Sequence, residues 1–495
     1  MILDYEYKNK KLIVSYINDK GEVKLKYYDW DEPYNYQLTS DVDPERHPKY
    51  KTWDGKNVKE KKADRPNKYA VYYFLDQQKE DEKLLFDYHE PNIFFVDIEN
   101  EIDYDGKIAP HLAKTKIQTI SIVNKNKALV MGFDYLEPEK IEKIKNDLNN
   151  EYGKKLNKEF DFKYIQYRDE YEMLYNFFYK YVPNMPVVSG WNFDDYDWIY
   201  LCYRSIKLGI DIEVASYTKK FRLGNKEAND YSMLPYHRLI IDYLKLYKKY
   251  DTAIKVKESQ GLDFVSDKLL GLKKIKYDGS LKTLYDTDFP RFVYYNVIDS
   301  ILVQGIHEKM QYINILYSIA VLSKITVSTA LSTLAITEGY LRHKLLEKNI
   351  VLVKNDNNDE VVINDDVFDN IVGVKGGFVK DPTVGFSNWT ACFDFSSLYP
   401  SVIREFNISS DSYKGQKLKN KHNIASLGGK HSPIEENDII TINDSVFKNE
   451  MGVVNEEIGN IFKKRKYFKN LQQEQHEKID ELEKEIAKLK LEVGE

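Results

Sequence analysis

Two acidic side chains interrupt the apolar stretch IFFVDIEN at residues 93–100. The stretch is rich in β-branched and aromatic residues, which predicts a buried strand, and Asp97 and Glu99 would project from the same face of that strand. Two carboxylates held side by side away from water repel each other, so one tends to stay protonated unless a cation joins them. A strand end whose acids simply reach solvent is the plainer alternative.

A second group of acids follows a short apolar strand in the segment PVVSGWNFDDYD at residues 186–197. Acids after a turn commonly cap a helix, and this role is predicted for Asp194 and Asp195. Asp197 lies further along, before the apolar run Trp-Ile-Tyr, and is placed to face inward from the first helical turn.

A third segment, YYNVID at residues 294–299, is predicted to be helical. Tyr295 and Asp299 are four residues apart and therefore lie on one helix face. Taken alone, such a pair is most often a buried hydrogen bond. Together with the earlier acids, it completes a set of carboxylates on separate elements of one α/β domain: Asp97, Glu99, Asp197 and Asp299.

Such a set of carboxylates can hold two divalent ions about 4 Å apart, which activate water and stabilise the leaving oxygen of a phosphate ester. Ligands that are all oxygens favour Mg²⁺ or Mn²⁺ over Zn²⁺. The sequence therefore predicts a two-metal site in which Tyr295 would orient the attacking water. Metal ions would then neutralise Asp97 and Glu99 inside the predicted strand.

The composition sets limits on the class of protein. A chain of 495 residues is too long for one hydrophobic core, so several domains are expected. Hydrophobic residues at 42% and charged residues at 31% are typical of a folded soluble protein. The net charge of −6 neither supports nor excludes a nucleic-acid partner. The two cysteines, Cys202 and Cys392, exclude a disulfide framework and a cysteine-based zinc site.

The sequence further predicts a cytoplasmic protein that does not enter a membrane. The first residues, MILDYEYKNK, lack the basic flank and apolar core of a signal peptide. The most apolar long stretch, residues 312–336, is interrupted by Asn314 and Lys324, which indicates a buried helix.

Strand and helix patterns alternate from residue 93 to about residue 310, which predicts an α/β arrangement. A β-rich segment is expected before them and a mainly helical one at 312–350. The elements expected between are strands at 93–98, 117–123, 128–132 and 186–190, and helices at 138–149, 169–181 and 288–311.

Residues 456–492 are predicted to form one long charged helix. Its apolar residues recur at spacings of three and four, which favours packing against a partner or a hairpin mate. They are Ile479, Leu482, Ile486 and Leu489.

The most specific stretch is CFDFSSLYPSVIR at residues 392–404. A strand is predicted to carry Asp394 at its end, a Ser-Ser turn would expose backbone N–H groups, and Pro400 would lead into a helix. A plain strand-to-helix turn capped by Asp394 is the structural alternative.

These motifs resemble those of the family B DNA polymerases, most closely the tailed-phage type. D-x-E, then G-W-N with an Asp seven residues after its Gly, then Y-x-x-x-D resemble the three exonuclease motifs. The segment 392–404 resembles the first polymerase motif, D-x-x-S-L-Y-P-S. The resemblance implies a multidomain α/β protein, with an RNase H-like (DnaQ-like) exonuclease domain whose mixed β-sheet is flanked by helices.

The same resemblance implies the domain organisation. A β-rich N-terminal domain, the 3′–5′ exonuclease domain, a helical linker segment, a partial palm and the first fingers helix would follow one another, with boundaries at 1–92, 93–322, 323–370, 371–452 and 453–495. The exonuclease acids would be Asp97, Glu99, Asp197 and Asp299, assisted by Tyr295.

For the polymerase site, the resemblance implies that Asp394 binds both catalytic Mg²⁺ ions. The amides around Ser397 and Leu398 would meet the triphosphate, and the ring of Tyr399 would exclude a 2′-hydroxyl. Arg465, in the basic run IFKKRKYFKN, would contact the incoming nucleotide, although a solvated helix face is the usual role of such a run.

Gly376 and Gly377 stand where the family has a segment that touches template DNA. Two later motifs of the family, K-x-x-x-N-S-x-Y-G and Y-G-D-T-D, do not follow. The segment LYDTDF at 284–289 is rejected as a substitute because it lies in the exonuclease region, where Asp286 and Asp288 are expected to cap helices.

We therefore expect the N-terminal half of a split polymerase that trims DNA alone and extends it only with a second chain. The expected partners are primer–template and single-stranded DNA, dNTPs and that second chain, through which any sliding-clamp contact would run. A phage-encoded chain would act in the host cytoplasm. The alternatives are a free-standing exonuclease with a structural palm remnant, and a DNA-binding module without chemistry.

Overall fold

The computed structural model describes residues 1–39, 50–53, 55–101, 109–212, 221–251, 258–353, 380–381, 384–386, 388–395, 397–417, 423–425 and 431–493. The chain forms two compact units, the first made of Met1–Tyr34 and Lys62–His343 and the second of Asn35–Lys61 and Lys344–Glu495. In the ranges described, no helix is both long enough and apolar enough to cross a membrane.

The strands are, in chain order, β1 (Ile2–Lys8), β2 (Lys11–Ile17), β3 (Val23–Asp29), β4 (Tyr34–Leu38), β5 (Val58–Lys62), β6 (Ile93–Asn100), β7 (Ile117–Asn124), β8 (Lys127–Gly132), β9 (Asp161–Gln166), β10 (Val187–Gly190), β11 (Phe221–Leu223), β12 (Met233–Pro235), β13 (Leu239–Asp242), β14 (Tyr413–Lys417), β15 (Asn423–Ala425), β16 (His431–Pro433), β17 (Ile439–Ile440) and β18 (Ser445–Phe447).

The α-helices are, in chain order, α1 (Lys68–Gln77), α2 (Glu82–Phe86), α3 (Pro138–Leu148), α4 (Lys154–Leu156), α5 (Glu170–Asn176), α6 (Asp197–Lys207), α7 (Tyr243–Tyr250), α8 (Leu262–Leu270), α9 (Leu281–Thr287), α10 (Phe289–Met310), α11 (Tyr312–Ser323), α12 (Thr333–Glu347), α13 (Leu398–Glu405) and α14 (Val453–Val493).

A six-stranded mixed sheet, in the order β13-β10-β6-β7-β8-β9, organises the first unit. Strand β6 pairs parallel with β10 and antiparallel with β7, so it lies inside the sheet. The pattern of strands and helices between residues 93 and 310 predicted this mixed α/β class, and the prediction is confirmed. Strands β9 and β13 were not among the expected elements, because their short and partly polar runs carry a weak period-two signal.

Hydrophobic cores cover both faces of this sheet. On one face, Phe95 of β6 packs with the apolar side of α10, including Val297 and Ile301. On the other face, Val96 of β6 packs with Trp198 of α6. The alternation of β6 residues between two cores follows from the period of two in a strand, and it holds β6 rigidly between α10 and α6.

The N-terminal part of the first unit is an antiparallel sheet, β1-β2-β3, that packs against α1. The expected β-rich segment thus also contains helices. Helix α1 begins after Asn67, whose side chain accepts a hydrogen bond from the N–H of Ala70. At its other end, Asp76 pairs with the buried guanidinium of Arg342 at 3.2 Å.

The second unit contains a five-stranded sheet in the order β16-β15-β14-β18-β17, which the sequence patterns did not predict. Its strands are two to five residues long, too short to leave a clear alternation in the sequence. Helix α14 confirms the single long helix predicted for the tail. Within the described side chains of this helix, Ile479, Leu482 and Ile486 are all exposed.

Candidate active site

Strand β6 presents two carboxylates on the face that packs against α10. Ile93 and Phe95 on this face are buried in the core, and Asp97 and Glu99 continue the same alternation. Ligand oxygens of Asp97, Glu99 and Asp299 all lie within 4.8 Å of one another. The predicted common face of the two β6 acids is therefore confirmed; Asp97 and Glu99 are half-buried, and Asp299 is buried.

Strand β10, next to β6, leads the chain to the fourth acid. At Gly190 a Cβ atom would lie 2.5 Å from the carbonyl oxygen of Val96, so the close approach of the two strands requires glycine. Asp197 is the first residue of α6 and is buried. Its Oδ1 accepts a hydrogen bond from the N–H of Ile98 at 3.3 Å, which fixes this carboxylate to β6 between Asp97 and Glu99. The predicted inward position of Asp197 is confirmed.

Helix α10 supplies the remaining members of the cluster. Tyr295 and Asp299 lie on one face of it, as their spacing predicted, and both contact the side chain of Lys274. The Lys274 Nζ donates to Asp299 Oδ2 at 2.5 Å and lies 3.5 Å from the Tyr295 hydroxyl. The cluster therefore contains one cation among its acids.

The electrostatics of the cluster disfavour ionised carboxylates. Burial, reinforced by Asp299, raises the pKa of Glu99 to about 8. Burial likewise raises the pKa of Asp197 to about 8, and burial together with Asp197 raises that of Asp97. Burial raises the pKa of Asp299 as well, although Lys274 opposes that change. Groups with these raised pKa values release protons readily only when a cation compensates their charge.

The donor set fits hard divalent cations. All of its groups are carboxylates, the ligands that Mg²⁺ and Mn²⁺ prefer. The Oδ1 atom of Asp299 is buried and has no hydrogen-bond partner in the described part of the chain, so it is free to serve as a ligand. Asp97, Glu99, Asp197 and Asp299 could therefore hold such ions.

A second acidic group lies beside the first and has a different arrangement. Ligand oxygens of Asp194, Asp195 and Asp242 also lie within 4.8 Å of one another. Lys245 pairs with Asp194 and Asp195, each at 2.8 Å. The prediction that these two acids cap a helix is wrong, since α6 begins only at Asp197; the nearby lysine explains their clustering instead.

Capping acids were also expected in the segment before α10. Asp288 is the N-cap of α10 and accepts from the N–H of Arg291 at 3.2 Å, so its predicted role is confirmed. Asp286 lies inside α9, so the same prediction is wrong for it. The spacing of the two acids did not distinguish which one precedes a helix.

The polymerase-like motif lies in the second unit. The structure assigns no strand at 391–395, so the predicted strand before the turn is wrong; these residues are exposed and have no pairing strand in the described ranges. Ser397 adopts φ +57° and precedes α13, which confirms the turn into a helix. Asp394, Leu398 and Tyr399 are exposed, and within the described residues Asp394 joins no acidic cluster.

The other residues expected to contact nucleotide or template fall in two places. Arg465 is exposed on α14, as the basic run predicted for a helix surface. Gly376 and Gly377 lie outside the described residues.

Asn407 joins α13 to the start of α14, because its Nδ2 donates to Lys448 O at 2.7 Å and its Oδ1 accepts from Gly452 N at 2.9 Å.

Two side chains of the cluster were missed in the sequence. Lys274 lies in the loop between α8 and α9, among other lysines, and no spacing distinguishes it from them. Asn296 is fully buried on α10, and its Nδ2 donates to Asp97 Oδ2 at 2.8 Å. Its position three residues before Asp299, on the same helix face, was a usable signal.

Comparison with known proteins finds similarity to DNA polymerases. The family model for DNA polymerase family B matches residues 327–492. The chain is 26% identical over 318 residues to the DNA-directed DNA polymerase of Escherichia phage RB69, covering 62% of this chain and 33% of that enzyme. It is 25% identical over 312 residues to the DNA-directed DNA polymerase of Enterobacteria phage T4, with the same coverage.

An archaeal enzyme aligns over more of the chain: the DNA polymerase of Pyrococcus glycovorans is 26% identical over 443 residues, covering 83% of this chain and 54% of the relative. The matches span about a third of the length of the two phage relatives. Over these ranges the chain is similar to DNA polymerases of family B.

Proposed function

We propose that the first unit of this chain is a 3′–5′ exonuclease that removes nucleotides from DNA ends. The observation that carries the proposal is the convergence of Asp97, Glu99 and Asp299 within 4.8 Å, with Asp197 hydrogen-bonded to the strand between the first two. Carboxylates that lie this close together and are partly or fully removed from water destabilise the protein unless they bind cations, so a ligand-binding role explains their presence.

When bound, a pair of Mg²⁺ or Mn²⁺ ions would supply the nucleophilic water and stabilise the leaving 3′-oxygen. The carboxylates of Asp97, Glu99, Asp197 and Asp299 would hold these ions. The Tyr295 hydroxyl would orient the attacking water by hydrogen bonding. Lys274 would keep its ammonium charged beside the phosphate. Burial lowers the pKa of Lys274, but Asp299 and Tyr295 raise it by more, so the net pKa lies above its ordinary value.

For nucleotide addition we propose that Asp394 binds catalytic Mg²⁺ and that Ser397, Leu398, Tyr399 and Arg465 contact the incoming dNTP. For the first four residues this proposal rests on the resemblance of residues 392–404 to the first polymerase motif, and for Arg465 on the position of the basic run at 461–470, which resembles the first fingers helix of the family. Template contacts are proposed for Gly376 and Gly377, because they stand where the family has a Gly-rich segment that touches template DNA.

DNA synthesis would further need the palm motifs that these 495 residues do not contain. We propose that a second chain supplies them, together with any sliding-clamp contact. The exposed residues Ile479, Leu482 and Ile486 of α14 offer an apolar surface for such a chain.

A time course of primer length tests the exonuclease proposal. Purified chain is mixed with a 5′-labelled primer–template, Mg²⁺ and all four dNTPs, in parallel with the variant Asp97→Ala/Glu99→Ala. Shortening by the wild type and none by the variant is expected. Lengthening by the isolated chain would refute the requirement for further motifs, and equal shortening by both proteins would refute the assignment of the acids.

A further inference from the structure

Each acid of the cluster except Glu99 is hydrogen-bonded to a different kind of donor. Asp299 accepts from the charged Lys274, and Asp197 accepts from a backbone N–H. Asp97 accepts from the neutral side-chain amide of Asn296 at 2.8 Å. Among the described residues, no other hydrogen bond to the Asp97 carboxylate is formed. The orientation of Asp97 therefore depends on this amide.

The chemistry of Asn296 suits a group that positions a metal ligand. A neutral amide orients one oxygen of Asp97 without supplying positive charge, so the carboxylate keeps its full attraction for a cation. A lysine in the same place would compete with the metal. An ionised carboxylate only accepts hydrogen bonds, so the amide must present its NH₂ group to Asp97.

The acceptor end of Asn296 argues against a purely structural role. Its Oδ1 is buried and, within the described ranges, has no hydrogen-bond partner. An unpaired buried oxygen costs stability, and an apolar side chain of similar size would avoid this cost. The hydrogen bond from the NH₂ group of Asn296 to Asp97 therefore explains why this position carries an amide.

We propose that Asn296 is a positioning residue of the metal-binding cluster, which holds Asp97 in the orientation that lets it converge with Glu99 and Asp299 on a divalent ion. The inference rests on the proposed exonuclease function. Since groups that orient metal ligands typically change affinity by about 10- to 100-fold, loss of the amide is expected to weaken binding by at least about tenfold.

The test is Asn296→Leu, which deletes the hydrogen bond and keeps a similar volume. Gln304 provides a matched control on the same helix. It is also a buried amide, its Nε2 donates to Lys125 O at 2.8 Å, and its Oε1 likewise lacks a partner in the described residues. Gln304→Leu therefore makes the same chemical change away from the acids.

The readout is the dissociation constant for Mn²⁺, measured by electron paramagnetic resonance on the complete chain, beside the thermal midpoint of each variant. Asn296→Leu is expected to raise the Mn²⁺ dissociation constant at least about tenfold, whereas Gln304→Leu leaves it unchanged. Asn296→Ala also removes the hydrogen bond but introduces a smaller side chain. Its Mn²⁺ dissociation constant provides the test if the leucine variant does not fold.

The possible outcomes distinguish failure of the proposed metal site from failure of the proposed role of Asn296. If wild type and Asp97→Ala/Asp299→Ala bind Mn²⁺ equally, the cluster is not a metal site and both proposals fail. If the wild type binds at the cluster and the Asn296 variants retain its dissociation constant, Asn296 is a structural residue and this inference alone is overturned.

Discussion

Neutralising one acid of the cluster should stabilise the metal-free protein. In Glu99→Gln the side chain keeps its shape but can no longer ionise next to Asp299. Because the pKa of Glu99 is raised from 4.5 to about 8, the folded state binds a proton that the unfolded chain has already released at neutral pH. Glu99 therefore lowers stability as pH rises.

The magnitude follows from the size of the pKa change. At pH 7.5 the ordinary carboxyl lies three units below the solution pH, and one unit corresponds to 1.36 kcal/mol, which sets an upper limit of about 4 kcal/mol. Glutamine must itself be accommodated among the acids. We therefore expect Glu99→Gln to unfold about 1–4 kcal/mol less readily than the wild type in EDTA.

The stability difference between Glu99→Gln and the wild type depends on pH and on metal. Wild-type stability contributed by Glu99 is complete below pH 4.5 and is lost as pH rises through 8, so the advantage of glutamine should grow between pH 5 and pH 8. Mg²⁺ should stabilise the wild type, because a ligand of the folded state adds to its unfolding free energy, and should stabilise Glu99→Gln much less.

Urea unfolding in EDTA and in Mg²⁺, at pH 5.5 and pH 7.5, measures these effects. Glu142→Gln removes an exposed glutamate from α3 and serves as the control, with no change expected. A Glu99→Gln protein no more stable than wild type at pH 7.5 in EDTA, or one with an undiminished Mg²⁺ response, would refute the raised pKa of Glu99 that burial and the neighbouring Asp299 produce.

Three further predictions concern the scaffold. Arg204 pairs with the buried carboxylate of Glu170 at 2.7 Å, and Arg204→Met leaves that carboxylate without its cation. The free energy of unfolding in urea should fall by about 3–5 kcal/mol, and Arg204→Met/Glu170→Met should largely restore it. Gly190→Ala places a Cβ 2.5 Å from a β6 carbonyl and should lower stability by about 1–3 kcal/mol, whereas Gly459→Ala, in open space on α14, should raise it or leave it unchanged. Burial lowers the pKa of His307 to about 4, so the free energy of unfolding should fall as pH drops from 6.5 toward 4. The wild type should therefore lose about 2 kcal/mol of unfolding free energy between pH 7.5 and pH 5 that His307→Gln does not lose.

The sequence predicted the centre of the fold because strong local patterns mark it. The β-branched run at 93–100 becomes β6, and the long apolar run before residue 310 becomes α10. Spacing alone placed Tyr295 and Asp299 on one helix face. These features follow from the residue spacings typical of strands and helices, and those spacings can be read directly from the sequence.

The remaining features depend on contacts between distant parts of the chain. Lys274 meets Asp299 from a loop 25 residues away, and Lys245 meets Asp195 across 50 residues. Residues 391–395 have strand-forming side chains, yet no partner strand pairs with them in the described ranges. Local preference did not determine any of these outcomes, because each requires knowledge of a neighbour in space.

Whether the carboxylate cluster is a nuclease site is tested by the hydrolysis of a 5′-labelled single-stranded oligonucleotide in Mg²⁺ by three proteins: wild type, Asp299→Asn and Asp195→Asn. Asp195 belongs to the neighbouring acidic group paired with Lys245, so its variant controls for loss of surface charge. The wild type and Asp195→Asn should produce a ladder shortened from the 3′ end, and Asp299→Asn should leave the oligonucleotide intact. An active Asp299→Asn protein, or equal loss of activity in both variants, would contradict the assignment of the carboxylate cluster as the active site.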